Sequence, residues 1–436
     1  VAEPISDIID SRPMGLYQVR VLLLCSLVIL IDGYDLQAMA LAVPSLAADW
    51  RLAPPAFGVA LAAGLLGLGL GGAFVAPLGD RFGRRPVLIG CILMVGLTSL
   101  ATTLASGPTG LAISRCLTGL ALGACQGNAT AMSAEFAPAR RRAFVITLTG
   151  CNVALGSLIA GLTAPWVVAA FGWRGLFYVG GVLPIVLAIL LAGGLPESIG
   201  FLTARRPGDP RIGHTIARLF PGEALPMAAA PSAPTPARHA SVLDLLLPPL
   251  RTRTLVLWLI YSASTFLLYL VLSWLPTLLA AAGWTGPAAL RGIVSFQIGG
   301  IVGSIVLALL VDRGRIVLAL AGGYIVSGAA ALSFSVVAPG FWAWTILFAL
   351  VGAGISGAMF AIFALAAGFY PAELRATGYG WAAAVARIGA VLGPLVGGWG
   401  LAAGIAPRDI MALLAVPALV CALMVIPVSR VVRSLR

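Results

Sequence analysis

Residues 61–85 read LAAGLLGLGLGGAFVAPLGDRFGRR, and residues 296–315 read FQIGGIVGSIVLALLVDRGR. Each is an uncharged apolar stretch that stops abruptly on an Asp-Arg loop: Asp80-Arg81-Phe82-Gly83-Arg84-Arg85 in one, Asp312-Arg313-Gly314-Arg315 in the other. A helix needs roughly 20 apolar residues to cross a hydrocarbon core about 30 Å thick, and both stretches read as such spans. Their recurrence at an offset of 232 says that the spans come in two sets. Working outward, Pro138 and Pro371 stand 233 apart, and VALGSLIAGL (153–162) resembles AVLGPLVGGW (390–399) at an offset of 237. Three ordered matches at nearly one offset argue for duplication over a chance likeness between Gly/Ala/Leu-rich helices.

The composition agrees. Of 436 residues 60% are hydrophobic and 10% charged, with a mean hydropathy of +1.04, whereas a soluble domain is about 25% charged. Apolar runs predict helices near 19–45, 56–78, 86–106, 109–134, 143–168 and 174–195, then near 252–281, 288–311, 316–338, 340–369, 376–402 and 408–430. The expectation is an all-α membrane protein of twelve transmembrane helices in two pseudo-symmetric six-helix bundles, residues 1–195 and 252–436. Parallel repeats of this kind place a transport site between the halves near the bilayer midplane. The hydrophilic linker 196–251 holds a Pro/Ala-rich stretch, Ala224 to Ala240, that reads as disordered.

All 27 basic residues are arginine. Without lysine the chain has neither a Schiff base nor a P-loop lysine, and its two histidines, His214 and His239, share one hydrophilic stretch. This is not the inventory of an enzyme, an ATP-driven pump or a His-based metal centre. The net charge of +12 lies in short loops instead of on one soluble face, which argues against nucleic acid as a partner. Placing the N-terminus in the cytoplasm puts 21 arginines in cytoplasmic segments against four outside, so both termini are expected inside. The six cysteines fall within apolar runs and read as small buried hydrophobes. Glu3, Asp7, Asp10 and Arg12 precede the first run, which is not the basic region of a cleavable signal peptide.

Charges deep in a span are costly and mark function. Asp32 and Asp35 are the acids in the middle of a predicted helix, three apart and so on one face. An apolar cavity favours the neutral acid and a nearby cation favours the carboxylate, so the pair can take up and release protons as access alternates. It can equally be a buried ion pair that locks the first helix. The buried cations are Arg115 and Arg387, and arginine grips a carboxylate through two parallel hydrogen bonds. One can neutralise an aspartate while the other receives an anionic substrate. Arg387 is the favoured clamp, because Arg115 begins a ladder, Arg115-Gly119-Gly123-Gly127, that helix packing explains as well.

Further candidates for lining the site are Tyr34, Gln126, Asn128, Asn152, Tyr261, Thr265, Tyr269, Trp274, Phe360 and Phe363. Aromatic walls with a few hydrogen-bonding groups suit a flat, polar-edged ligand, though ordinary packing accounts for any one of these residues. The loop charges Asp80, Arg81, Arg84 and Arg85, with Glu135, Asp312, Arg313, Glu373 and Arg375, lie far from the midplane. They read as a latch that gates or stabilises the halves.

Twelve spans, the duplicated Asp-Arg loop and Arg115-xxx-Gly119 resemble the major facilitator superfamily over essentially the whole chain. Within it, Asp32-Gly33-Tyr34-Asp35, Ser273-Trp274-Leu275-Pro276, the segment Tyr370 to Gly378 and Arg387-Ile388-Gly389-Ala390 resemble the aromatic acid:proton symporters. The resemblance implies a monomeric carrier in the bacterial cytoplasmic (inner) membrane. It implies import of a small aromatic acid, such as a hydroxybenzoate, with protons as the coupling ion and no other cofactor. Asp32 and Asp35 are then essential to coupling, Arg387 matters for substrate, and the first, fourth, seventh and tenth helices line the cavity. Ala76 stands where the loop motif opens with Gly, and the second copy is one residue short, which leaves the latch geometry open. The Gly-Pro pair typical of antiporters in the fifth helix is found only in the eleventh, as Gly393-Pro394, which speaks against drug efflux. Two other readings stand beside this one: a carrier or exporter of another organic anion or metabolite, and a membrane sensor that binds without transporting.

Overall fold

The computed structural model describes residues 14–206, 208–219, 242–248, 250–284, 287–337, 340–370 and 374–434. Among them all regular structure is helical, and ten helices are long and apolar enough to cross a membrane. In the first half α1 is Leu16–Trp50, α2 runs Pro54–Phe82, α3 is Arg84–Thr102 and α4 is Pro108–Phe136. α2 opens as a 3-10 turn at Pro54–Phe57 and carries a π turn at Gly71–Val75.

The fifth helix, α5, spans Ala139–Gly194, 56 residues where the sequence predicts two helices. At ~1.5 Å per residue a straight rod of that length is nearly three times the roughly 30 Å hydrocarbon core. Gly172 interrupts it with φ 62° and ψ −164°, a conformation open to a residue without Cβ. The run is thus two helices meeting at Gly172, within the boundary expected between 168 and 174.

The linker opens with two short helices. α6, Ile199–Arg205, is capped by Ser198, whose Oγ accepts from the Phe201 N–H at 3.0 Å, and α7 is Pro210–Leu219. The stretch Ala224 to Ala240 lies outside the described residues. The second half comprises α8 (Arg251–Ala281), α9 (Pro287–Asp312), α10 (Ile316–Val336), α11 (Phe341–Phe369), α12 (Arg375–Ala402), α13 (Pro407–Leu413) and α14 (Ala415–Ser434).

Helix pairing repeats between the halves. α1 packs chiefly on α5 and α2 on α4, while α8 packs on α12 and α9 on α11. Small residues permit this, since lipid provides no hydrophobic force between helices and contact must come from close backbone approach. A Cβ at Gly67 or Gly71 of α2 would overlap the carbonyls of Cys116 and Leu120, and one at Gly119 or Gly123 of α4 would overlap those of Gly64 and Leu68. The glycine ladder read from the sequence is thus the α2–α4 seam, and it fixes the depth of Arg115 at its end. Gly33 is pressed against the Val153 backbone in the same way, while Ser157 Oγ donates to the Gly33 carbonyl at 2.9 Å.

The buried apolar residues divide unequally along the helix axes. One cluster mixes both halves and contains Met39, Phe57, Trp173, Trp274, Phe296 and Phe348. Two others are confined to single halves, one around Cys25, Ile92 and Phe136, the other around Tyr261, Tyr324 and Tyr370. The halves are therefore cemented where α2 begins and α12 ends: Gly58 lies against Pro394 and Gly398, and Gly161 of α5 against Ile293 of α9. At the end carrying Asp80–Arg85 and the linker, each half keeps its own core.

Candidate functional site

Five polar side chains, Asp32, Asp35, Arg115, Gln126 and Arg387, gather where the shared cluster gives way to the separate ones. Arg115 of α4 grips Asp35 of α1 with both terminal nitrogens, Nη1 to Oδ1 at 3.0 Å and Nη2 to Oδ2. Both side chains are 3% exposed. Ser99 of α3 donates to Asp35 Oδ1 at 3.4 Å, and the guanidinium stands 5.7 Å from the Phe177 ring centroid. A bidentate charge-assisted pair with further polar contact is the arrangement that makes burial of two charges tolerable. The sequence left open which cation neutralises an aspartate; the structure gives that task to Arg115.

Asp32, one turn before Asp35, has a different neighbour. Gln126 of α4 donates from Nε2 to Asp32 Oδ2 at 3.3 Å, and its Oε1 accepts from Arg387 Nη2 at 3.1 Å. The amide orientation follows from the charges, since the NH2 end faces the carboxylate and the carbonyl end faces the cation. Arg387 comes from α12 in the other half and lies against Gly69 of α2, where a Cβ would be 3.5 Å from its Cγ. A small cleft of about 30 Å³ borders the acids, lined among others by Asp32, Asp35, Met39, Leu65, Arg115 and Ser273.

Other candidates are held in structural contacts. Tyr34 turns away from the cleft, and its hydroxyl donates to the Leu176 carbonyl at 3.3 Å. Asn128 donates to the carbonyls of Ala76 and Ala124, tying α4 to the end of α2, and Asn152 donates to Leu148 and Thr149 in its own helix. Thr265 donates to Ala386 at 2.6 Å and so fixes α8 beside Arg387, while Tyr261 is buried in the core of the second half. Trp274, fully buried, donates from its indole to the Pro394 carbonyl at 2.8 Å and packs on the glycines of α12. Phe360 and Phe363 lie on α11 with side chains outside the described set.

The loop charges form a network around the start of α3. Arg84 donates to Asp80 Oδ1 from Nη2 at 3.2 Å and to Glu135 Oε2 from Nη1 at 3.3 Å. Glu135 Oε1 accepts in turn from Ser198 Oγ at 3.1 Å and from the Gly200 N–H, which anchors α6 to the same node. Arg81 lies over the Phe82 ring, and Arg85 Nη2 donates to the Ala192 carbonyl. Arg313 Nη1 reaches the Leu309 carbonyl of its own helix at 3.5 Å. Glu373 and the side chains of Asp312 and Arg375 fall outside the described residues. Sequence reasoning missed Ser99, Phe177, Ser198 and Glu197. The first two are ordinary helix residues with no local signal, whereas Ser198 three residues before Phe201 is a legible N-cap.

Residues 25–329 and 292–435 match the sequence profile of the Major Facilitator Superfamily. The gallate transporter of Pseudomonas putida is 38% identical over 97% of this chain and 94% of its own length. A 4-hydroxybenzoate transporter of Pseudomonas putida is 34% identical over 95% and 93%, and the 3-(3-hydroxy-phenyl)propionate transporter of Escherichia coli 35% identical over 89% and 88%. In fold the chain is similar to a bacterial homologue of the human lysosomal transporter Spinster in an inward-facing, unoccupied conformation, with a TM-score of 0.74 at 17% identity over 97% of this chain and 99% of that one. It is also similar to the partially occluded, inward-open xylose transporter of Escherichia coli, with a TM-score of 0.70 at 16% identity over 94% and 97%. Paired helices closing on one side of a buried acid–arginine site, together with these relatives, establish that the chain belongs to the major facilitator superfamily, in the family of aromatic acid transporters.

Proposed function

We propose that the protein is a proton-coupled symporter that imports a small aromatic carboxylate of the hydroxybenzoate type. Transport proceeds by alternating access between two six-helix halves, residues 1–195 and 252–436, with both termini in the cytoplasm. Twelve spans follow if α4, 29 residues long, and the two parts of α5 on either side of Gly172 each cross the bilayer. The arginine-rich loops then face the cytoplasm. The core shared at the opposite end corresponds to closure toward the outside.

The observation that carries the reading is the bridge Asp32–Gln126–Arg387, which joins a buried acid of one half to a half-buried cation of the other. Arg387 meets the substrate carboxylate, which displaces the Gln126 carbonyl oxygen from the guanidinium. That oxygen is then free to accept from the hydroxyl of a protonated Asp32. Substrate and proton thus each make room for the other on one amide, the differential contact that coupling demands. Asp35, with both oxygens committed to Arg115, holds α1 on α4.

The test is uptake of labelled 4-hydroxybenzoate into proteoliposomes under an inward proton gradient, with related acids as competitors. Gradient-driven uptake lost in both Asp32→Asn and Arg387→Ala supports the symporter and its site together. Absence of uptake and of competition by any aromatic acid removes the substrate class.

A further inference from the structure

A second cavity of about 220 Å³ lies at the end of the molecule that carries the loop charges, away from the transport cleft. It is open to one side and bordered by the starts of α1 and α3, the segment after α5, and α7. Arg211, His214, Thr215 and Arg218 line it from α7 at i, i+3, i+4 and i+7, one face of the helix. Arg85 lines it from α3, Tyr17 from α1 and Glu197 from the segment between α5 and α6.

The charge of this cavity is unbalanced. Glu197 is its one carboxylate, and Oε1 of that group is already taken by the backbone N–H groups of Arg85, at 3.0 Å, and Ser198, at 2.9 Å. Arg211 is held by Asp209 outside the cavity through Nε and Nη2, the latter at 2.9 Å. Arg85 spends Nη2 on the Ala192 carbonyl, and its Nε is buried with no hydrogen-bond partner among the described residues. A buried donor left unmade and several like charges facing one cavity are both unfavourable, and an anion between them corrects both. Guanidinium forks match tetrahedral oxyanions, and the aromatic Tyr17 at the start of a span suits the level of lipid headgroups.

We infer that this cavity binds a phosphate group between Arg85 and the Arg211–His214–Arg218 face of α7. The phosphate is carried either by an anionic phospholipid of the adjoining leaflet or by a free phosphate compound. Because α7 belongs to the linker between the halves, an occupied site pins that linker to α1, α3 and α5. None of these residues belongs to the transport cleft, so this site stands or falls separately from the proposed substrate.

The test uses the full-length protein in detergent and follows its thermal midpoint. Dioleoylphosphatidylglycerol, dioleoylphosphatidylcholine at equal mole fraction, and inorganic phosphate at constant ionic strength are the three probes. The expected result is a rise of about 3 °C or more with one anionic probe and not with the phosphatidylcholine, as ligand binding to the folded state dictates. That rise falls to less than about a third in Arg211→Gln/Arg218→Gln and persists in Arg205→Gln, whose side chain lies outside the cavity. A rise with phosphatidylglycerol alone identifies a lipid headgroup, and a rise with inorganic phosphate identifies a soluble ligand. Equal rises in wild type and the double variant, or no rise with either anionic probe, overturn the site. Should the double variant unfold without ligand, Arg218→Gln alone is read in its place.

Discussion

Arg387 Nη2 lies 3.1 Å from Gln126 Oε1, although 261 positions separate the two residues and they sit in different halves of the chain. The far end of the same amide reaches Asp32 at 3.3 Å. One neutral side chain therefore stands between a buried carboxylate and a half-buried guanidinium from the other half. A direct ion pair in a low-dielectric interior is costly to break, whereas an amide bridge is exchanged for modest free energy.

Replacing that amide tests the bridge. Gln126→Leu keeps the approximate volume and removes both hydrogen bonds, and we expect proton-driven accumulation to fall roughly tenfold, the equivalent of about 1.4 kcal/mol. Substrate exchange without a gradient should fall much less. An equal loss in accumulation and exchange, read in the same proteoliposomes, contradicts a coupling role and points to simple substrate contact.

Asp32 and Asp35 leave room in the sequence for two protons per cycle. The commitment of both Asp35 oxygens to Arg115 narrows the proposal to one proton exchanged at Asp32. One proton moving with a monoanion is electroneutral, while a second would add about 2.3 kcal/mol per 100 mV. Uptake at a fixed pH gradient should therefore be indifferent to a potassium–valinomycin potential. Acceleration by an inside-negative potential would restore the two-proton cycle. Asp32→Asn should abolish gradient-driven uptake and retain exchange.

The Asp35–Arg115 pair makes a separate prediction. Removing one partner strands a buried charge, so Asp35→Asn or Arg115→Met should each cost about 3–5 kcal/mol of stability. The double variant Asp35→Asn/Arg115→Met should recover much of that loss. Thermal unfolding of the three variants in detergent checks this, and additive losses in the double variant would show that the two residues act independently.

Trp274 distinguishes a packing role from substrate contact. Its indole donates to the Pro394 carbonyl at the end where the halves join. Trp274→Phe should lower stability by about 1–3 kcal/mol through the carbonyl left unpaired, and it should leave the KM for substrate unchanged. A raised KM at unchanged thermal midpoint would return Trp274 to the binding site.

Much of this protein is legible from local pattern. Apolar run lengths, the Asp80–Arg85 loop with its echo at Asp312, and the arginine distribution determine the spans, the duplication and the expected orientation, because bilayer thickness and charge cost act on each segment separately. The same cost singles out Asp32, Asp35, Arg115 and Arg387 before any contact is known. Which acid meets which cation was not legible. Asp35 and Arg115 lie on different helices, and their meeting depends on the depth to which the Gly67–Gly119 seam slides α4 along α2 and on where Gly33 seats α1 against Val153. The contacts of Tyr34, Asn128 and Trp274 with backbone carbonyls were equally hidden, since a polar side chain in a span looks the same in sequence whether it faces a ligand or a neighbouring helix. Sequence alone determined what must be buried. Tertiary structure decided the partners, because helix rotation and register are set by packing between segments and not within them.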